Sequence, residues 1–213
     1  MRQADVTVID YGVGNLLSVR HSLEHCGATV EVTSDRERIL TSPRVILPGV
    51  GAFGDAMAEL GRRGLDIVVR EVVQRGHALM GICLGMQMLM EESDEFGIAA
   101  GLGLIPGRVV AVPQATVDGA PQKIPHIGWN ELLPAGNGSW DGTVLQSIRP
   151  GDSVYFVHSF MAAPPLEYRI ADCIYGGHRI AAVVGRDRVT GCQFHPEKSG
   201  DVGLRILKQF LMQ

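Results

Sequence analysis

The run His77-Ala78-Leu79-Met80-Gly81-Ile82-Cys83-Leu84-Gly85-Met86-Gln87-Met88-Leu89-Met90 constrains the fold more than any other stretch. It begins as an apolar strand, passes through Gly-x-Cys-x-Gly, and continues with the spacing of a short helix. Glycines two places either side of a nucleophile-type residue permit a tight strand-to-helix turn that larger side chains would block. Such a turn lifts the central side chain clear of a sheet edge and sets it at a helix N-terminus. Unpaired N–H groups and the helix dipole favour an anion there, so a thiolate gains over a thiol. Taken alone, the five residues equally suit a buried cysteine between two packing glycines. The rest of the chain has to decide.

Upstream, Val6-Thr7-Val8-Ile9 is a short apolar run that ends in Asp10-Tyr11-Gly12-Val13-Gly14-Asn15-Leu16. A buried strand, a glycine-containing loop and a helix fit a parallel α/β sheet. Asn15 is placed to cap a helix carrying Leu16, Val19 and Leu23 on one face. The loop's Gly-x-Gly lacks the third glycine of a dinucleotide fingerprint, since position 17 is Leu, so a sharp βα turn is the better reading. Ala28–Val32 reads as the second strand. Val45-Ile46-Leu47 is the third, running into Pro48-Gly49-Val50-Gly51-Ala52-Phe53-Gly54. Helical stretches follow around Asp55–Arg62 and Asp66–Arg75, the second with Val68, Val69, Val72 and Val73 toward its buried side. Strand alternating with helix predicts an open, mostly parallel, doubly wound α/β sheet whose ligand edge lies at the strands' carboxyl ends.

The texture changes after Glu91. From Phe96 to Ala120 glycines are frequent and only Arg108–Val112 looks strongly strand-like; Pro134–Gly142 is loop-prone. Asp152–Phe160 reads as a strand ending in His158-Ser159-Phe160. Arg179–Val184 and Val189–Phe194 read as a hairpin turned near Gly185-Arg186-Asp187. The C-terminal half is therefore β-rich, and a helix carrying Val202, Leu204, Leu207, Phe210 and Leu211 closes the chain. No repeat, linker or low-complexity tract divides the 213 residues, so 1–213 reads as a single domain.

Composition narrows the partners. A net charge of −4 argues against a surface that binds duplex nucleic acid. No apolar run approaches the about 20 residues a membrane span requires. The start of the chain, Met1-Arg2-Gln3-Ala4-Asp5, leads straight into a strand pattern, so no secretory signal is expected. Cys26, Cys83, Cys173 and Cys192 show neither paired nor metal-type spacing. Free thiols in a reducing, cytoplasmic setting are expected, with no metal and no cofactor.

Two further segments carry chemistry. In Gln193-Phe194-His195-Pro196-Glu197 a strand end delivers His195 to a loop that Pro196 stiffens. Glu197, two residues on, is within reach of the second imidazole nitrogen, which gives a base and its orienting group. A His-Pro-Glu by itself is usually a turn; beside a cysteine elbow in an α/β chain it becomes catalytic machinery. Gly49-Val50-Gly51 is either a routine βα turn or an oxyanion donor. A tetrahedral intermediate needs N–H groups near it. The backbone N–H of Leu84, after the nucleophile, is one, and Val50 is the candidate for the other.

Together these residues resemble the class I (triad) glutamine amidotransferases. The elbow Gly81-Ile-Cys83-Leu-Gly85-x-Gln87 and the run Gln193-Phe-His195-Pro-Glu197 are that family's two most specific motifs. Within it, the nearest branch is the glutaminase subunits of imidazole glycerol phosphate synthases. The residues that point there are Asp10-Tyr11-Gly12-x-Gly14-Asn15-Leu16, Pro48-Gly-Val-Gly-Ala-Phe53, Gly128-Trp129-Asn130, Val157-His158-Ser159-Phe160 and His195-Pro-Glu-Lys198-Ser199. The resemblance implies a flavodoxin-like fold, with Cys83, His195 and Glu197 catalytic. Cys83 would attack the glutamine amide, and His195 would protonate the leaving nitrogen and then activate water. It further implies that Gly49, Gly51, Gln87, Ser159 and Phe160 bind substrate. Asn15, Trp129, Tyr155 and Lys198 would face a (β/α)₈-barrel cyclase subunit that receives the ammonia. Without the resemblance, Trp129 reads as core. The rivals are the glutaminase part of anthranilate synthase, a cysteine peptidase on a similar sheet, and a binding module with a decayed site.

Overall fold

The computed structural model describes residues 4–213; the first three residues of the stretch read as lacking a secretory signal lie outside it. Along the first half, strands and helices alternate: β1 (Val6–Ile9), α1 (Leu16–His25), β2 (Val30–Thr33), α2 (Arg36–Thr41), β3 (Arg44–Gly49), α3 (Phe53–Arg62), α4 (Leu65–Gln74), β4 (Ala78–Cys83) and α5 (Leu84–Met88). The second half is mostly strand: β5 (Glu92–Ser93), β6 (Ala99–Ala100), β7 (Arg108–Ala111), β8 (His126–Glu131), β9 (Leu133–Pro134), β10 (Ser153–His158), β11 (Phe160–Ala163), β12 (Arg169–Tyr175), β13 (His178–Arg186) and β14 (Val189–Cys192). Helix α6 (Gly200–Phe210) follows.

The main sheet runs β2-β1-β3-β4-β14-β13-β12-β9. Its first five strands are parallel, in the flavodoxin-like order, and the last three extend it antiparallel. Residue parity sorts the two cores, because successive side chains on a strand face opposite ways. Val6, Val8, Ile46, Met80 and Ile82 meet α1 and α6 through Val19, Leu23, Ile206, Leu207 and Phe210. Ile9, Val45, Leu47 and Leu79 meet α3 and α4 through Phe53, Leu60, Val68, Val69 and Val72. The expected doubly wound α/β layer is the one observed. Two smaller assemblies flank it: the β10-β8 ribbon and a four-stranded sheet ordered β11-β7-β5-β6.

Space explains the two elbow glycines. A Cβ on Gly85 would lie 1.9 Å from the Leu47 carbonyl oxygen, and one on Gly81 would lie 2.6 Å from the Gly85 carbonyl oxygen. Strand β3 and the turn after β4 therefore touch backbone to backbone. Gly85→Ala is expected to destabilise by about 3 kcal/mol, read as a fall in Tm of about 6–12 °C by calorimetry. An unchanged Tm would mean that the backbone contact is dispensable.

Several sequence expectations need correction. Asn15 occupies the N-cap position of α1, but its side chain makes no capping hydrogen bond. The second strand begins at Val30 rather than Ala28. The strand expected over 152–160 is two: β10 ends at His158, and the chain passes Ser159 into β11 of a different sheet. The expected hairpin forms, with β13 running on to Arg186 and the turn at Asp187. The fully buried residues of α6 are Gly203, Ile206, Leu207 and Phe210, with Val202 and Leu211 half-buried against the same core, so Ile206 joins the expected apolar set. Both α2 and β12 were unforeseen.

Candidate active site

The elbow is strained as its sequence requires. Cys83 has φ +54° and ψ −113°, a region L-residues avoid, and it stands between the end of β4 and the start of α5. The parallel pairing of β4 with β14 sets Gly81 beside Gly191 and Ile82 beside Cys192. The two strands thus end side by side, and the chain beyond β14 reaches His195 within three residues. There Pro196–Lys198 forms a single 3₁₀ turn with proline at its first position.

That turn is fastened at three points. The His195 N–H donates to the Tyr155 carbonyl at 3.0 Å. The Ser199 hydroxyl donates to the His195 carbonyl at 2.7 Å and accepts from the Tyr155 N–H at 3.0 Å. The His195 ring is held from its far side, where Nδ1–H donates to Glu197 Oε1 at 2.8 Å. These two side chains are only 4% and 1% exposed. Burial alone would lower the His195 pKa, yet hydrogen bonds to Cys83 and Glu197 and their charges outweigh it and push it up to about 9. His195 therefore has Cys83 on one side and a buried carboxylate on the other. That arrangement supplies a nucleophile, an acid–base group and an orienting carboxylate.

Cys83, His195 and Lys198 border a pocket of about 370 Å³, a size suited to a small molecule. Val50, Gly51 and Leu84 lie on its rim, as do Gln87, Ser159 and Phe160. Gly49 does not. It is buried at the end of β3, where a Cβ would lie 2.8 Å from the Gly85 amide nitrogen, so close packing accounts for it. Gly51 has open space around it and φ +95°, so backbone conformation accounts for that glycine. Tyr11, from the first loop, is fully buried and donates its hydroxyl to the Pro48 carbonyl at 2.9 Å. It pins the strand end two residues before Val50.

In and beside the pocket stand residues to which motif reading gave no role. Glu95 lines it and accepts from the Phe53 N–H at 2.7 Å at the head of α3. Its only sequence signal is an acid before a Phe96-Gly97 turn. Gln193 donates through Nε2 toward Cys83 Sγ at 4.0 Å and accepts from Gln87 Nε2 at 3.0 Å. His158 lines the pocket too. Of the residues expected at a partner surface, Trp129 is 59% exposed rather than core, with its ring edge-on to Tyr155 at 6.2 Å. Lys198 is exposed beside them, in the turn that carries His195. Asn15 occupies the N-cap position of α1.

Among the described residues no group of three or more His, Cys, Asp or Glu is placed to hold a metal ion. A parallel α/β sheet with an elbow cysteine, a histidine and a buried glutamate at its carboxyl edge defines a nucleophilic amide-processing class. The chain belongs to the class-I glutamine amidotransferase family, whose model matches residues 7–213. It is similar to the imidazole glycerol phosphate synthase subunit HisH 1 of Legionella pneumophila (strain Lens), 50% identical over 210 residues, covering 98% of this chain and 99% of that protein. It is also similar to subunit HisH of Geobacillus thermodenitrificans (strain NG80-2), 47% identical over 206 residues and covering 97% and 94%. Among solved structures, a glutamine amidotransferase aligns with TM-score 0.71 at 18% identity, covering 97% of this chain and 99% of that one. The structure of PurLQS from Thermotoga maritima aligns with TM-score 0.69 at 20% identity, covering 97% of each chain. Those two show likeness of fold.

Proposed function

We propose that this chain is the glutaminase subunit of an imidazole glycerol phosphate synthase, which hydrolyses glutamine and passes ammonia to a (β/α)₈-barrel cyclase subunit in histidine biosynthesis. The observation that carries the chemistry is His195, which shares the pocket wall with Cys83 and is held from behind by a hydrogen bond to Glu197. The identity to the HisH subunits over nearly the whole chain supports the particular recipient. The match over 7–213 supports treating 1–213 as one amidotransferase domain. Four free cysteines agree with a cytoplasmic setting. Among the described residues no helix is long and apolar enough to cross a membrane.

In this reading Cys83 Sγ attacks the side-chain amide carbon of glutamine, and the oxyanion takes hydrogen bonds from the Leu84 and Val50 N–H groups. His195 gives its proton to the leaving nitrogen, so the C–N bond breaks, ammonia departs and a thioester remains. Water then loses a proton to His195 as it attacks the thioester, and glutamate leaves as Cys83 is restored. Gln87, Gly51, Ser159 and Phe160 hold the substrate, and Glu95 pairs with its α-ammonium group. Free ammonia is protonated at neutral pH and loses its nucleophilicity, so the cyclase must seal the exit. Trp129, Tyr155 and Lys198 form the docking face in this account, with Asn15 at its margin.

Docking is expected to control turnover. Val50, the first residue after β3, is 41% exposed. A Val50 N–H turned from the pocket leaves the oxyanion with the Leu84 donor alone, which costs about 10²–10³ in rate. A cyclase that binds the correctly turned form better shifts the population toward it. Glutamate release at saturating glutamine should therefore rise by about that factor from the lone chain to the complex with bound cyclase ligand. Equal turnover in both would leave residues 49–51 as a fixed turn.

A further inference from the structure

His126 and His158 are buried, 2% and 6% exposed, and neither belongs to the triad. They stand opposite one another on β8 and β10. His158 Nδ1 lies 2.8 Å from the Phe160 carbonyl oxygen, and His158 Nε2 lies 2.9 Å from His126 Nδ1. His126 Nε2 lies 3.3 Å from Asn130 Nδ2, which also donates to the Ile174 carbonyl at 2.8 Å.

These contacts fix every hydrogen. A carbonyl oxygen only accepts, so His158 carries its proton on Nδ1. Its bare Nε2 then accepts from His126 Nδ1–H, which leaves His126 Nε2 to accept from the Asn130 amide. All the hydrogens point one way and end at the Phe160 carbonyl. The scheme requires both rings to be neutral, and burial pushes both pKa values down to about 4. The His126 ring is also gripped between those of Phe156 and Tyr175, at centroid distances of 4.8 and 4.0 Å.

The Phe160 carbonyl has a second donor, Gln87 Nε2 at 2.9 Å. The same Gln87 nitrogen also donates to Gln193 Oε1 at 3.0 Å. With both amide hydrogens committed, Oε1 is the Gln87 atom left for a ligand in the pocket it lines. The orientation of that oxygen is set by the Phe160 carbonyl, and the carbonyl by His158. A buried polar pair that merely filled space would be replaceable by apolar rings at little cost.

We propose that Asn130, His126 and His158 are positioning residues, a one-way hydrogen-bond relay that holds the Phe160 carbonyl and thereby aims Gln87 at the substrate. The inference rests on the glutaminase reading and adds a determinant of substrate affinity outside the triad. It is tested on the complex with the cyclase subunit, by glutamate release across a range of glutamine concentrations. An asparagine amide can stand where His158 Nδ1 stands and still donate to Phe160; a glutamine amide reaches the Nε2 position instead. His158→Gln should raise KM about tenfold with kcat within about twofold, the scale of one hydrogen bond. His158→Asn and His126→Phe, which keep the Phe160 bond or the ring stack, should raise KM only about threefold. Thermal unfolding of each variant shows that it is folded. An active wild-type complex in which His158→Gln has no higher KM than His158→Asn, or in which His126→Phe has the wild-type KM, overturns the relay alone. A wild-type complex that releases no glutamate overturns the glutaminase reading, and the relay with it.

Discussion

Replacing Cys83 with alanine is expected to lower glutamate release by the complex by more than about 10⁴-fold, while synthesis from an added ammonium salt persists in the cyclase. The two halves of the reaction use different chains in the proposed function, and Cys83 serves only amide cleavage. Alanine also fits the elbow's space, because Gly81 and Gly85, rather than the cysteine, make the close backbone contacts. The fold should therefore survive, although position 83 keeps a positive φ that no L-residue prefers. Parallel assays with glutamine and with ammonium salt check this. Glutaminase activity near wild type would remove Cys83 as nucleophile, and loss of the ammonium-driven reaction would point to failed assembly.

Glu197→Gln is expected to reduce kcat by about 10²–10⁴-fold with little change in KM. The amide oxygen can still accept from His195 Nδ1–H, so the ring stays in place, but the negative charge beside it is gone. The wild-type His195 pKa, about 9, owes part of its rise to Glu197. In the variant it should fall toward the ordinary value of about 6.5. The sign follows directly: a carboxylate stabilises the protonated ring, so its removal favours the neutral one. The imidazolium that accompanies the Cys83 thiolate and carries the proton for the leaving nitrogen is then less stable, and acylation slows. NMR titration of the His195 ring together with steady-state kinetics measures both effects. An unchanged kcat would assign Glu197 to a structural turn.

The parts of the site legible in the sequence are those whose geometry is local. Gly81, Cys83 and Gly85 form one turn, and His195 and Glu197 are two residues apart, so spacing alone places them. The short apolar runs Val6–Ile9, Val45–Leu47 and Ala78–Ile82, alternating with helical stretches, likewise made the parallel layer readable. What escaped depends on contacts between distant segments. The β12 strand hides behind Asp172, a charged residue only 1% exposed that Arg169 and Arg179 neutralise at 2.6 and 3.0 Å. Nothing near position 172 in the chain announces Arg179 as its partner. Helix α2 is short and highly charged, and what starts it is a local cap: Asp35 accepts from the Arg38 N–H at 2.9 Å. The break at Ser159 falls inside a run that reads as one strand, so only the second sheet reveals it. Glu95 and the His126–His158 pair become site residues only when β7, β8 and β10 bring the second half over the elbow.

The adjacency of β4 and β14 has an evolutionary consequence. The nucleophile and its base are brought together by a single hydrogen-bonded ladder, in which Gly81 faces Gly191 and Ile82 faces Cys192. The spacing of neighbouring strands, about 4.8 Å, thus acts as the ruler for the reaction. Everything between the two strands, from Leu84 to Arg188, is an excursion that leaves that ruler and returns to it. Away from the elbow residues Leu84 to Gln87, from Tyr155 and from Ser159–Phe160, the exposed parts of this excursion can change without altering the strand pairing that brings the two segments together. The segment that presents Trp129 belongs to it. A lineage can therefore change the surface around Trp129 by rewriting the exposed parts of that detour, while inheriting its bond-breaking apparatus unaltered.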